Sequence, residues 1–255
     1  MKITRVQSPN YNQRQVPVDM LMLHYTGMET GEAALKRLCD PEAAVSAHYM
    51  VWEDGQVTQL VDEEKRAWHA GVGSWQGDTD LNSHSVGIEI VNGGHNVPLA
   101  DGSLPPYPKE QIESVIELSR DIIGRHAIPR SRIVGHSDVS PGRKIDPGEH
   151  FPWQRLAEHG LGIWPEAPSG DEMMGAGFGP RYEGDAVLLF KETLASIGYD
   201  IEATGTYDKV TETVVAAFQR RWQPDRVTGQ AGWKTIATAV AVADQFAAEA
   251  KNPSS

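Results

Sequence analysis

Two histidines and one aspartate occupy positions that a folded chain can bring together. His24 follows the apolar run 20–23, His136 follows the apolar segment 133–135, and Asp146 lies in a loop framed by glycines and prolines. Two neutral imidazoles and a carboxylate form a suitable ligand set for a catalytic zinc ion that keeps one position open to water. The set favours a metallohydrolase, although a hydrogen-bonded structural role stays open for each histidine taken alone.

Hydrolysis also needs a proton acceptor and a cation, and the chain offers a candidate for each. Glu89 is a carboxylate inside the apolar strand pattern 85–91, which suits a general acid and base. Lys144 stands two positions before Asp146, so both side chains point to one side of an extended loop, where Lys144 would stabilise an oxyanion. Plainer interpretations stay open, with Glu89 facing outward from a half-exposed strand and Lys144 on the surface.

Strand and helix patterns predict the elements that carry these residues. An Asp-Gly pair at 54–55 between two short apolar runs indicates a hairpin, and helical spacing predicts helices over 30–39 and 109–126. The predicted strands are 19–25, 47–52, 56–61, 85–91 and 133–136. Together they predict an α/β fold in which a mixed central sheet is flanked by helices.

Composition excludes several classes of function. The 255 residues carry a formal net charge of -12 without a cluster of basic residues, so nucleic acid is not an expected partner. No stretch approaches the roughly 18 apolar residues of a membrane span. The single cysteine, Cys39, excludes an internal disulfide framework and suits a reducing compartment.

The chain is expected to divide into two folded parts. Residues 1–164 would form the catalytic domain. Composition changes after Trp164, and residues 165–184 are rich in glycine, proline and acidic residues, as is typical of a linker.

The remaining part contains a weak repeat. A Thr-Gly pair is followed by a threonine six positions after the glycine in both 204–211 and 228–235, and each copy leads into a helical pattern. With the helical pattern 185–197, the repeat predicts a small three-helix domain over residues 185–250, near the lower size limit for a stable domain.

At the residues that could do chemistry, the sequence resembles the zinc-dependent N-acetylmuramoyl-L-alanine amidases of the type 2 family. The matching segments occur in the family's order and cover nearly all of residues 15–155. They are 23–26 (Leu-His-Tyr-Thr), 46–49 (Ser-Ala-His-Tyr), 67–71 (Ala-Trp-His-Ala-Gly), Asn82 with 86–89, Tyr107-Pro108 with Gln111, and the loop 136–148.

The resemblance implies a role for each candidate. His24, His136 and Asp146 would bind one zinc ion per chain, Glu89 would be the acid and base, and Lys144 would stabilise the oxyanion. The family hydrolyses the amide between N-acetylmuramic acid, with the 1,6-anhydro form included as an open possibility, and L-alanine of the peptidoglycan stem peptide.

Four further residues are candidates for substrate binding. Trp68, His69 and Asn82 fall in motifs near the family's cleft, and Arg143 is a cation beside the ligand loop. A packing role stays open for all four.

The C-terminal part resembles the common three-helix peptidoglycan-binding domain, most closely over 198–222. The expected partners are therefore peptidoglycan or muropeptide fragments. Two other functions stay open, a non-catalytic peptidoglycan binder on the same fold and a zinc peptidase that cleaves within the stem peptide. The complete set of ligands together with Glu89 and Lys144 favours catalysis over binding alone.

The expected location is the cytoplasm, with the periplasm as the alternative. Residues 1–10 contain no apolar core of signal-peptide length, and a lone cysteine suits a reducing compartment. A peptidoglycan-binding domain favours the periplasm instead.

Overall fold

A six-stranded mixed sheet forms the centre of the N-terminal part in the computed structural model, which describes residues 2–166 and 177–252. The strand order is β1-β5-β4-β7-β3-β8, and only β4 and β5 are antiparallel to each other. A separate antiparallel pair joins β2 and β6. The strands are β1 (Ile3–Arg5), β2 (Tyr11–Gln13), β3 (Met20–Tyr25), β4 (Tyr49–Val51), β5 (Val57–Gln59), β6 (Lys65–Ala67), β7 (Ser85–Ile90) and β8 (Ile133–Gly135).

Helices lie on both sides of this sheet and form the C-terminal part. They are α1 (Gly31–Leu38), α2 (Leu81–His84), α3 (Lys109–His126), α4 (His136–Val139), α5 (Trp153–Glu158), α6 (Asp185–Ile197), α7 (Lys209–Trp222) and α8 (Trp233–Lys251). Within the described part of the chain, no helix is both long and apolar enough to cross a membrane.

The two faces of β3 are buried against different partners. Leu21 and Leu23 pack in the core that α3 completes, because α3 presents its apolar stripe to that face. Met20 and Met22 point to the opposite face and belong to a second core. All residues of β3 are buried, as expected for a central strand covered on both sides.

The second core spans both parts of the chain. Met22 and Val134 of the sheet belong to the same buried cluster as Phe218 of α7 and Phe246 of α8. Trp75 is fully buried in this cluster, where its ring lies 5.2 Å from the ring of Tyr199. The C-terminal helices therefore cover the sheet face that α3 leaves open.

The predicted fold class is confirmed, with a mixed central sheet, flanking helices and a C-terminal helical region. The predicted helix 109–126 has the bounds of α3, because its apolar spacing is continuous and Pro108 precedes its first turn. The predicted hairpin joins β4 and β5, with Gly55 in the left-handed region at its turn. Of the predicted linker 165–184, residues 167–176 lie outside the described residues.

A half-buried carboxylate, that of Glu63, connects the end of α3 to the sheet. Glu63 accepts hydrogen bonds from Tyr49 Oη at 2.7 Å, from Arg125 at 2.6 Å and from His126 Nε2 at 2.5 Å. Burial raises the pKa of Glu63, but the bonds from Arg125, Tyr49 and His126 outweigh burial and lower this pKa to about 2. The ionised form of Glu63 therefore stabilises the folded state.

We expect Glu63→Gln to reduce the free energy of unfolding near neutral pH, by at most about 3 kcal/mol. Because the folded-state pKa of Glu63 is lowered, its contribution is present above the unfolded-state pKa and is lost as the pH falls toward about 2. Urea unfolding at a series of acidic pH values should show a shallower loss of stability in the variant. Glu64→Gln, at the exposed neighbouring position, is the control. Equal pH slopes for Glu63→Gln and the unchanged protein would contradict this account.

Candidate active site

The register of the parallel strands brings the two candidate histidine ligands and Glu89 to one edge of the sheet. His24 on β3 is directly paired with Glu89 on β7, so their side chains point to the same face. Leu23 is paired with Gly135 on β8, which places His136, the next residue, beside His24. Both histidines and Glu89 thus lie at the carboxyl ends of neighbouring parallel strands, where α/β sheets commonly bind ligands.

Three side-chain atoms converge at this edge. His24 Nδ1 and His136 Nδ1 are 3.0 Å apart, and Asp146 Oδ2 lies 2.9 Å from the first and 3.0 Å from the second. Ligand atoms of a tetrahedral zinc site are about 3.3 Å apart when the bonds are about 2.0–2.1 Å long. The three residues are buried, and they form a group that could hold a metal ion.

Hydrogen bonds select the ring nitrogens that face this point. His136 Nε2 lies 2.8 Å from the carbonyl oxygen of Ala70, which can only accept, so this nitrogen carries the proton and Nδ1 has a free lone pair. His24 Nε2 lies 3.0 Å from His69 Nδ1. Burial and the neighbouring His136 lower the pKa of His24 to about 4, although Asp146 opposes both. A neutral His24 is the form that binds a metal.

The carboxylate of Asp146 is ionised in this environment. Burial raises its pKa, but His136 and His24 outweigh burial and hold the pKa well below its usual range. The Asp146 carbonyl also accepts a hydrogen bond of 2.9 Å from Ser137 N, which joins the two ligand segments directly. Two neutral imidazoles and one carboxylate therefore fit a divalent cation in donor type, position and charge.

Glu89 has an unsatisfied atom beside these ligands. Its Oε2 is buried and has no hydrogen-bond partner among the described residues. Burial raises the pKa of Glu89 well above its usual value, Asp146 raises it further, and Lys144 lowers it. A carboxyl group with a raised pKa holds a proton more readily than an ordinary one, which suits a general acid and base.

A cavity of about 520 Å³ lies over these residues. Its lining includes the metal-ligand candidates, Glu89 and Lys144 as well as apolar residues such as Met28 and Leu38. The remaining lining residues are Tyr25, Thr26, Ala34, Arg37, Val45, Ser46, Trp68, His69, Asn96, Gly142, Arg143 and Ile145. The cavity combines polar and charged groups with apolar residues, as substrate sites commonly do.

Sequence comparison assigns both parts of the chain. Residues 14–149 match the family described as N-acetylmuramoyl-L-alanine amidase, and residues 183–238 match a peptidoglycan binding domain. The chain belongs to the N-acetylmuramoyl-L-alanine amidase family. Its ligand candidates and Glu89 all lie within the first match.

Individual relatives of this amidase agree with the assignment. N-acetylmuramoyl-L-alanine amidase AmiD of Escherichia coli K12 is 36% identical over 90% of this chain and 83% of its own length. The 1,6-anhydro-N-acetylmuramyl-L-alanine amidase AmpD of Haemophilus influenzae is 34% identical over 59% of this chain and 88% of its own length.

Two solved structures of similar amidases contain ligands. The complex of E. coli AmiD with the substrate anhydro-N-acetylmuramic acid-L-Ala-D-γ-Glu-L-Lys has a TM-score of 0.75 at 36% identity, covering 92% of this chain and 93% of that chain. AmpDh3 of Pseudomonas aeruginosa in complex with anhydromuramic pentapeptide has a TM-score of 0.75 at 32% identity, covering 94% and 95%.

The structure separates the four residues that we predicted for substrate binding. Trp68 and His69 line the cavity, whereas Asn82 is buried behind it. Asn82 Oδ1 accepts hydrogen bonds from the amides of His69 and Ala70, at 2.9 and 2.8 Å. Asn82 therefore orients the same short segment whose carbonyl binds His136.

Arg143 lines the cavity and also orders the loop beneath it. Its guanidinium donates to the carbonyls of Ala70 and Val72 and, at 2.7 Å, to Ser140 Oγ. Lys144, one position further, also lines the cavity and is half-buried. The guanidinium of Arg143 is thus already hydrogen-bonded within the protein, to a greater extent than the ammonium group of Lys144.

Sequence reasoning missed Arg37 and Tyr25 as cavity residues. Arg37 is in the last turn of α1, the helix that follows β3. The signal was available, since a helix that directly follows a strand begins at the strand's carboxyl end and stays near the site. Tyr25 directly follows His24, and burial raises its pKa to about 12, so its hydroxyl keeps the proton.

His69 is held between a ligand candidate and the sheet. Besides its contact with His24, its Nε2 lies 3.2 Å from Ser85 Oγ, which donates to the carbonyl of Leu81 at 2.5 Å. Gly87 leaves the space for this ring, because a Cβ there would lie 2.6 Å from His69 Cγ and Nδ1.

We expect Gly87→Ala to displace the His69 ring, loosen His24 and weaken zinc binding by about 10-fold or more. Competition with a chromogenic chelator measures this change. Gly124→Ala is the matched control, since a Cβ there meets nothing within 4 Å and alanine suits the helix α3. Unchanged zinc affinity in Gly87→Ala would show that the position of His69 does not matter to His24.

Proposed function

We propose that this amidase uses one zinc ion to hydrolyse the amide between N-acetylmuramic acid, including its 1,6-anhydro form, and L-alanine of the stem peptide. One observation carries the proposal. Three buried ligand atoms converge within 3.0 Å of one another, beside a buried carboxylate oxygen that has no hydrogen-bond partner in the part of the chain that the structure describes. This combination is suited to hydrolysis and has no evident structural purpose.

His24 Nδ1, His136 Nδ1 and Asp146 Oδ2 would hold the zinc ion. When bound, zinc acts as a Lewis acid that activates water and polarises a carbonyl group. The contacts of His24 with His69 and of His136 with Ala70 would keep both rings oriented during turnover.

Glu89 would move the proton. Its unpartnered Oε2 accepts a proton from the attacking water and then passes it to the departing nitrogen of L-alanine. The raised pKa of Glu89 favours the first transfer, and the nearby Lys144 limits the rise so that the second remains possible. Glu89 and the ligand His24 are direct neighbours on paired strands, which keeps the transfer distance short.

Lys144 would stabilise the negative charge that develops on the carbonyl oxygen. It lines the cavity close to Asp146, and a fixed cation in a partly desolvated site stabilises an oxyanion more strongly than one in water. Arg143 and Arg37, on the same cavity, are suited to the carboxylates of the stem peptide. Trp68, on the cavity wall, offers an aromatic surface to the sugar or the lactyl group.

The substrate assignment is supported by the relatives. Both ligand complexes named above contain anhydromuramic peptides, and AmpD is described as a 1,6-anhydro-N-acetylmuramyl-L-alanine amidase. The mixed polar and apolar lining of the cavity suits such a ligand, which joins a sugar and lactyl group to an acidic peptide.

We also retain the division into a catalytic domain over 1–164, a linker over 165–184 and a three-helix domain over 185–250 as a proposal. The last part would bind peptidoglycan, and it is supported by the family match over 183–238. Location in the cytoplasm, with the periplasm as the alternative, stays a prediction; the single free thiol of Cys39 suits the first and the peptidoglycan-binding domain the second.

The decisive experiment is product analysis by mass spectrometry on anhydro-N-acetylmuramic acid-L-Ala-D-γ-Glu-L-Lys. We expect the zinc-loaded protein to release the free peptide and the anhydro sugar. Glu89→Gln should bind zinc normally but lower kcat by about 100- to 10,000-fold, because it cannot take up the proton. Removal of zinc by a chelator should abolish turnover, and added zinc should restore it.

Glu110→Gln, on the exposed side of α3, is the control for a carboxylate replacement and should be fully active. Cleavage within the peptide would make the protein a peptidase. Binding of the intact compound without cleavage, with zinc bound, would overturn the proposal for soluble fragments. Full activity of Glu89→Gln would remove Glu89 from the mechanism while leaving the reaction in place.

A further inference from the structure

Helix α7 of the C-terminal part lies against the loop that carries the metal-ligand candidates. Thr213 on α7 is so close to Gly142 that a Cβ at Gly142 would lie 2.6 Å from Thr213 Cγ2. Gly142 stands between His136 and Asp146 in the sequence, two residues before Lys144. The helix therefore contacts the middle of the segment that supplies most of the site.

The strongest contact across this boundary is a buried ion pair. Arg221 near the end of α7 donates to Asp138 Oδ2 at 2.6 Å and to the carbonyl of Ile133 at 2.8 Å. The two side chains are 2% and 1% exposed, so the pair is screened from water. The Arg221 guanidinium also lies 4.2 Å from the ring centre of Trp153 and 4.5 Å from that of Trp222.

Asp138 connects this pair to His136. Its Oδ2 accepts a hydrogen bond of 2.8 Å from the amide of Gly135, and its Oδ1 accepts one of 3.2 Å from Tyr199 Oη. Gly135 precedes α4, and His136 is the first residue of that helix. Asp138 thus fixes the first turn of α4, and two of its partners, Arg221 and Tyr199, come from the C-terminal part.

Arg220, the residue before Arg221 on α7, makes a similar contact with a residue that follows Asp146 in the sequence. Arg220 Nε lies 3.3 Å from Glu149 Oε2, and Glu149 Oε1 lies 3.1 Å from His95 Nε2. Two consecutive arginines of α7 are therefore bound to the chain just after His136 and just after Asp146. Asp146 lies between these attachment points, and His136 stands two residues before the first of them.

We propose that α7 is a structural part of the amidase active site and that Arg221, acting through Asp138, is a positioning residue for His136. The inference rests on the proposed zinc function. It assigns to the peptidoglycan-binding-like part a second task, which is to hold the metal-ligand loop in the geometry that binds zinc. This task is independent of any binding of peptidoglycan by that part.

The test uses full-length variants that disturb this connection to different degrees. Arg221→Met keeps the apolar stem but removes both hydrogen bonds. Arg221→Lys keeps the charge and can restore only one of them. Tyr199→Phe removes one donor to Asp138 without leaving a buried charge unpaired. Arg226→Met, at an exposed position of the same part, is the matched control.

Three measurements are made on each variant. They are the zinc dissociation constant by chelator competition, the visible absorption spectrum of the cobalt-substituted protein, and kcat and KM on the soluble anhydromuramic tripeptide. We expect Arg221→Met to weaken zinc binding and lower kcat by about 10-fold, with a changed cobalt spectrum and little change in KM. Arg221→Lys should recover part of the loss, and Tyr199→Phe should show a smaller change in the same direction.

The proposal is overturned if folded Arg221→Met, Arg221→Lys and Tyr199→Phe all keep the zinc affinity, cobalt spectrum and kcat of the unchanged protein. If Arg221→Met does not fold, the other two variants decide by the same criteria. A change in KM alone would also overturn it, because that result would indicate a role in substrate binding. Failure of the unchanged protein to bind zinc would instead refute the proposed function on which this inference rests.

Discussion

Two imidazole nitrogens and one carboxylate oxygen must be held close together in a buried space. Much of the structure depends on this constraint. Groups with free lone pairs that lie 2.9–3.0 Å apart, away from water, need a cation or a fixed set of donors. His24 reaches this point because β3 is held in register on both sides. A slip of one residue would turn His24 to the face that α3 covers, away from His136 and Asp146, so the register of the strand also determines the direction of the ligand.

The parts of the fold and of the site that depend on residues close together in the sequence could be predicted from the sequence. Apolar spacing predicted α3 and Asp-Gly predicted the hairpin, and the position of His24 and His136 after apolar strands made them candidates for one site if those strands were neighbours, as they are. The roles of Asn82 and His69 were not predictable in the same way. Asn82 accepts hydrogen bonds from backbone amides and His69 contacts the ring of His24, and which face of a loop points inward depends on packing between distant segments.

The same limit applies to contacts between the two parts of the chain. From the helical pattern alone, an arginine such as Arg221 is expected at the surface. Its pairing with Asp138 becomes apparent only in the folded chain. The apolar pattern of β3 indicates burial on both faces but does not name the partner on either. In the structure α3 covers Leu23, and the C-terminal helices cover the core that contains Met22. The face of the sheet that carries His24 is thus completed by residues far along the chain.

The chemistry of the Arg221–Asp138 pair helps to explain why it lies there. A buried ion pair loses the hydration of both charges, and apolar residues of similar volume often give equal or greater stability. Around it, Trp153 and Trp222 would readily pack against such a replacement. What an apolar pair could not do is accept the amide hydrogen of Gly135 and join α7 to the carbonyl of Ile133 at defined angles. Directional bonds fix the orientation of α4, and hence of His136, more narrowly than apolar contact does. The orientation that the pair gives to α4 and His136 therefore explains its presence better than a gain in folding stability does.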